Sequence, residues 1–146
     1  MTRLLQVRDL SVRFGQTVAV DNVSFDLERG AARGIVGESG SGKSVTCRAL
    51  LRLLPATATI TGRAAFEGRD LLTLPEPELN TVRGKRIAMI FQSPASHLDP
   101  LMRIGDQVAE TLHKHTDLKG QAIRQEVLRL LDVVRIPEPA RWARAY

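Results

Sequence analysis

The clearest chemistry in this sequence sits in one glycine-rich run, Gly37-Glu38-Ser39-Gly40-Ser41-Gly42-Lys43-Ser44. It satisfies the phosphate-loop pattern G-x-x-x-x-G-K-[ST] at every position. Glycines at this spacing let backbone N–H groups converge on phosphate oxygens with no Cβ in the way. A helix opening directly after the loop adds free amides and the positive end of its dipole. Lys43 has the reach to meet β- and γ-phosphates, and the Ser44 hydroxyl is an oxygen ligand for Mg²⁺. The chemistry implied is binding of a nucleoside triphosphate, ATP with Mg²⁺. Its residues are Gly37, Glu38, Ser39, Gly40, Ser41, Gly42, Lys43, Ser44 and the next residue, Val45. The bland alternative is a glycine turn that only caps a helix. An apolar run before the loop and helical periodicity after it argue against that alternative.

The same patterning predicts the elements that position these groups. Leu4–Phe14 alternates apolar and polar residues, a half-buried strand with a break near Arg8–Asp9. After a Gly15-Gln16 turn, Val18, Val20, Val23, Phe25 and Leu27 mark a second strand region, interrupted at Asp21-Asn22. Ala32–Val36 reads as a short buried strand feeding the loop. From Lys43 the pattern turns helical, with Val45, Leu50, Leu51 and Leu54 near one face and Pro55 as the stop. Ile60–Phe66 reads as a strand, Leu71–Gly84 as short helices, and Arg86–Phe91 as another buried strand. Gln92–Pro100 is a loop. Helices follow at Ile104–His115, at Gln121–Val134 with an Ile123, Val127, Leu130, Leu131, Val134 stripe, and from Pro137 onward. The expected organisation is α/β, with a β-rich and loop-bearing part over residues 1–92 and a helical part over 93–146.

Composition narrows the function classes. The chain has 146 residues, 43% hydrophobic and 25% charged, enough for one domain with a real core. The net charge is +5, but the basic residues are scattered and only 4% of residues are aromatic, so nucleic acid is not expected as a partner. Cys47 is the only cysteine, which excludes an intramolecular disulfide and suits a cytosolic setting; a small core residue is its expected role. No apolar run approaches the roughly 20 residues of a membrane span. If the chain serves transport, another polypeptide must supply the pore.

These motifs converge on a family. The chain resembles the nucleotide-binding subunit of an ATP-binding cassette (ABC) transporter, a P-loop NTPase. Ser11-Val12-Arg13-Phe14-Gly15 resembles the A-loop, and Val20-Asp21-Asn22-Val23-Ser24-Phe25 resembles the strand after it. Val36–Ser44 is the Walker A segment in its ABC form, and Ile87-Ala88-Met89-Ile90-Phe91-Gln92 resembles the strand leading into the Q-loop. The resemblance implies that Phe14 stacks on adenine. It also implies that Gln92 helps to hold Mg²⁺ and to position the attacking water. The stretches Gln92-Ser93-Pro94, Leu98-Asp99-Pro100 and Ile104–Glu110 resemble the dipeptide, oligopeptide and nickel importer ATPases, although an acidic residue usually stands where this chain has Ser93.

The resemblance further implies partners: a second ABC ATPase subunit, and transmembrane permease subunits met through the Q-loop region at the cytoplasmic face of the membrane. The family's signature L-S-G-G-Q, its Walker B Asp-Glu and its switch His find no match here. The expectation is therefore an N-terminal piece that ends before the signature, couples ATP hydrolysis to import only as part of the whole, and is inactive alone. A short nucleotide-binding regulatory module without ATPase activity stays open as the alternative.

Overall fold

A computed structural model describes residues 3–146, the side chains of Pro94 and Ala95 excepted. The chain divides into two compact units, Met1–Asn80 and Thr81–Tyr146.

The first unit carries a four-stranded antiparallel sheet in the order β2-β1-β3-β4. Its strands are β1 (Arg3–Phe14), β2 (Thr17–Glu28), β3 (Ala58–Phe66) and β4 (Arg69–Asp70). Helix α1 (Lys43–Leu50) packs on β1 and β2, and α2 (Glu76–Val82) begins near the unit's end. In β1 the buried positions run Leu5, Val7, then Leu10, Val12. The change of phase falls where Asp9 takes φ 51, a bulge at the predicted break. The Ser24 hydroxyl accepts the Asp9 N–H at 2.8 Å. On the partner strand Asn22, with φ 49, donates its N–H to the Ser11 hydroxyl at 2.9 Å. Both interruptions are thus pinned by a serine from across the ladder. The third strand must also pass this bulge. A Cβ on Gly62 would lie 2.5 Å from the Asp9 carbonyl oxygen, so glycine is required there.

Two expected strands do not form. Ala32–Val36 pairs with no strand among the described residues, and Val36 is 96% exposed. Arg86–Phe91 begins in a turn closed by a lone Arg83–Ile87 bridge and continues irregularly, leaving Ile90 94% exposed. The physical reason is shared. A uniformly apolar run is a strand only between neighbours that take its hydrogen bonds and cover both its faces. The described residues supply no such neighbours. Helix α1 also ends at Leu50, well short of Pro55, because Arg52 enters the left-handed region at φ 51. Its guanidinium is tied instead to the Leu74 carbonyl at 2.6 Å and to Glu76 at 3.3 Å.

The second unit is helical: a 3₁₀ turn at Pro94–His97, then α3 (Ile104–His115), α4 (Gln121–Val133) and α5 (Pro139–Trp142). Ile123, Val127 and Leu131 of α4 are buried, with Ile104, Val108 and Leu112 of α3 packed against them. Burial contributes about 1.5–3 kcal/mol for each such side chain, and this seam is the unit's main cohesion. Val134, read as part of the stripe, lies beyond the helix and is 66% exposed. The last helix is also shorter than a run from Pro137 would make it. Arg103 gives α3 no side-chain cap. Its first amides are met by the residues that follow α5 instead: Ile104 N–H donates to the Ala145 carbonyl and Gly105 N–H to the Ala143 carbonyl, each at 2.9 Å.

Candidate functional site

The loop Gly37–Ser44 belongs to the first unit and is exposed from Gly37 through Ser41. Its path needs glycine at Gly40 (φ 82) and Gly42 (φ 84). Gly42 is doubly constrained, because a Cβ there would sit 2.3 Å from the Ala19 carbonyl oxygen in β2. The sheet thereby sets where α1 begins. The Gly42 carbonyl accepts two bonds from buried Thr46, from its N–H at 2.8 Å and its hydroxyl at 3.0 Å.

Lys43 turns back over the loop. Its ammonium donates to the Gly37 carbonyl at 2.7 Å, the Glu38 carbonyl at 2.6 Å and the Ser41 hydroxyl at 3.2 Å. All three of its protons are engaged. Ser41 N–H closes the turn onto the Glu38 carbonyl at 3.2 Å. Ser44 is exposed and Val45 half-buried in the first turn of α1, which holds no acidic side chain to repel an anion. A cleft of about 460 Å³ is lined by Gly37, Ser41, Lys43 and Thr46 together with Val20 and Phe25 of β2. A cation, a glycine-shaped backbone and a helix N-terminus therefore meet at one exposed place, an arrangement that suits a polyphosphate.

Phe14 closes β1 opposite Thr17 of β2 and Ala58 of β3, and is half-buried. It stands at a strand end with part of its ring accessible. Gln92 lies in the second unit and is exposed. Beside it the Phe91 ring stacks on His97 with centroids 3.9 Å apart and planes 10° apart. The Ser96 hydroxyl donates to the Ser93 carbonyl at 2.8 Å. His97 Nδ1 lies 3.1 Å from both that carbonyl and the Ser96 hydroxyl oxygen.

Three contributors escaped sequence reasoning. The Ala19 carbonyl left no trace, since any residue supplies one. Thr46 reads as an ordinary helix residue. Gln107 grips the loop at Asp99 through its side-chain amide; the available signal was a carboxamide one turn inside a helix that follows an Asp-Pro pair.

Residues 20–143 match the family model described as ABC transporter. The chain belongs to the ABC transporter family. This ABC chain is 50% identical to the peptidoglycan transport ATP-binding protein YejF of Agrobacterium fabrum, a match covering 98% of this chain and 27% of that protein. It is 46% identical to the oligopeptide transport ATP-binding protein OppD of Escherichia coli, covering 98% of this chain and 44% of that one. The chain spans less than half the length of these relatives. Among solved structures, the dimeric structure of MJ0796, a bacterial ABC transporter cassette, superposes with a TM-score of 0.80 at 24% identity, covering 97% of this chain and 61% of that chain. The α/β cassette fold expected from the Walker A and A-loop resemblance is the fold of this chain. Among the described residues no helix is long and apolar enough to cross a membrane.

Proposed function

We propose that this chain is the nucleotide-binding part of a transport ATPase, in which ATP binding and hydrolysis drive import of a peptide-type solute. The observation that carries the reading is the Lys43 ammonium held inside a glycine-shaped loop at the start of α1. The names of YejF and OppD support the transport assignment and the peptide class of solute.

The residues fit the proposed ligands. Gly40 and Gly42 hold the loop where a Cβ-bearing residue would be strained, and no carboxylate stands in the first helical turn. The amides of Gly37–Ser44 and Val45 would receive the triphosphate, with Lys43 exchanging its carbonyl partners for phosphate oxygens. Phe14 would stack on adenine. Ser44 and Gln92 would hold Mg²⁺, which neutralises charge on the phosphate oxygens when bound. Gln92 would also orient the attacking water. What the chain contributes is positioning and electrostatic stabilisation rather than covalent chemistry. In functional terms residues 1–92 form the ATP-binding core and 93–146 the Q-loop and the start of the helical region.

The partners follow from the same reading: a second ABC subunit, which the dimeric MJ0796 structure supports, and permease subunits met around Ser93–Met102. The protein would then work as a peripheral subunit at the cytoplasmic face of a membrane, with no role for nucleic acid. The 146 residues alone should bind nucleotide weakly and turn it over poorly. The test is titration of a fluorescent ATP analogue with Mg²⁺ into this chain and its Lys43→Ala variant, beside a phosphate-release assay. Saturable binding that weakens at least about tenfold in the variant supports the assignment. Equal binding by both chains contradicts it. Lys43-dependent turnover at the rate of a complete transport ATPase would overturn the expectation that this chain alone is inactive.

A further inference from the structure

Helices α3 and α4 and the chain from Ala140 to Arg144 border a second cavity, of about 380 Å³, within the helical unit. Small-molecule sites span roughly 300–1,000 Å³, so the size suits a small ligand. Its apolar lining includes Ala109 of α3 and Ile123, Val127 and Leu128 of α4. Gly105 lets the chain after α5 close on the start of α3, because a Cβ there would lie 2.7 Å from the Ala143 carbonyl oxygen. The first four amides of α3 are all engaged: Ile104 and Gly105 with the Ala145 and Ala143 carbonyls, Asp106 and Gln107 with the Arg103 carbonyl. The helix end therefore offers a ligand no donor, and the cavity's polarity resides in side chains.

Four charged side chains border the cavity: Arg103, Asp106, Arg124 and Arg144. The Arg103 guanidinium lies over the Tyr146 ring, 5.9 Å from its centre. Among the described residues the side chains of Asp106, Arg124 and Arg144 form no hydrogen bond or ion pair. Nearby arginines do find partners, Arg129 with Glu126 and Arg141 with Glu138. A lone exposed arginine is ordinarily just solvated. Here two unpaired guanidiniums and one unpaired carboxylate share a single apolar cavity. A plain anion would meet the Asp106 carboxylate, and a plain cation would meet the guanidiniums. A zwitterion with an apolar body finds an opposite charge for each of its ends.

We propose that this cavity binds a small zwitterion with an apolar side chain, a free amino acid or a short peptide. Its carboxylate would lie on Arg124 and Arg144, its ammonium toward Asp106, and its side chain against Ile123, Val127 and Leu128. Guanidinium–carboxylate bonds are charge-assisted and directional, so they set the orientation. Burial of the apolar side chain adds affinity. The site stands on the helical unit alone and does not depend on the transport reading.

Calorimetric titration of the 146-residue chain with L-leucyl-L-leucine, and separately with L-leucine, tests the site. At least one should bind saturably, with amide shifts at Ala109, Arg124, Val127 and Ala143, and the tighter of the two identifies the occupant. N-acetyl-leucyl-leucinamide keeps the apolar body and loses both charges, so it should bind at least about tenfold more weakly than the dipeptide or leucine. The double variant Arg124→Gln, Arg144→Gln should weaken the charged ligand at least about tenfold and leave nucleotide affinity unchanged. Asp106→Asn should weaken it about threefold. No saturable binding to the parent chain, equal binding of charged and blocked ligands, or shifts that bypass these residues would overturn the site. If the double variant does not fold, the blocked peptide decides alone. A chain that binds the zwitterion and shows no Lys43-dependent nucleotide binding would count against the transport reading and leave this site standing.

Discussion

The loop Gly37–Ser44 is shaped by backbone, whereas the turn Leu98–Met102 is shaped by side chains. In the first, glycine dihedrals, the Ala19 carbonyl and the loop's own carbonyls around Lys43 fix the path. In the second, the amide of Gln107 and the carboxylate of Asp99 do so. Under the proposed function the difference follows from the task. A loop that offers its N–H groups to an anion must keep Cβ atoms away from the approach, so little is left to hold it except main chain. A turn that displays side chains can be fastened by other side chains. Substitutions in the first should act abruptly and those in the second by degrees.

The sharpest break should come from Gly42→Ala. The new methyl meets the Ala19 carbonyl in a backbone region that alanine disfavours, φ 84. A loss of about 2–4 kcal/mol in urea unfolding, with nucleotide binding abolished, is the expected outcome. A stable Gly42→Ala chain that still binds would refute the idea of a backbone-shaped loop. Ser41→Ala should do much less. It removes one 3.2 Å contact to Lys43, leaves both carbonyl partners, and should weaken nucleotide affinity about twofold to fivefold by titration.

A smaller effect is expected at the stacked pair. The Phe91–His97 contact should show a coupling of about 0.5–1.5 kcal/mol in a double-mutant cycle of Phe91→Leu with His97→Ala, read by denaturant unfolding. The smallest belongs to Glu126 on α4. The hydrogen bonds from Arg129, at 2.7 and 2.8 Å, hold the Glu126 carboxyl below its ordinary value of 4.5. A depressed carboxylate stabilises the folded chain above pH 4.5, and that contribution fades as the pH falls through the lower folded value. Glu126→Gln should therefore cost a little stability at neutral pH and nothing in acid, visible as a flatter acid limb in the pH dependence of thermal unfolding.

The glycine-shaped loop and the start of its helix were legible because glycines at fixed spacing and the apolar period after them dictate the local backbone. The bulges were legible too: a strand that loses its alternation at Arg8–Asp9 has to bulge if both halves are to stay buried. Gly62 carried a readable signal, a glycine inside a strand, that had no explanation until the bulge of β1 was seen beside it. Ala32–Val36 and Arg86–Phe91 misled for one reason. Apolar composition reports that a segment favours burial, and it says nothing about which strand lies alongside. The support that the Ala19 carbonyl and the Gln107 amide give to distant backbone lay beyond local pattern altogether, since backbone carbonyls are anonymous and a glutamine on a helix is ordinarily solvated.

The most direct measurement is an amide chemical-shift map of the 146-residue chain on addition of ATP with Mg²⁺. The largest shifts should fall on Gly40, Ser41, Gly42, Lys43 and Ser44, and should vanish in Lys43→Ala. Shifts that bypass this loop, or that persist unchanged without the lysine, would contradict the assignment of Gly37–Ser44 as the phosphate site.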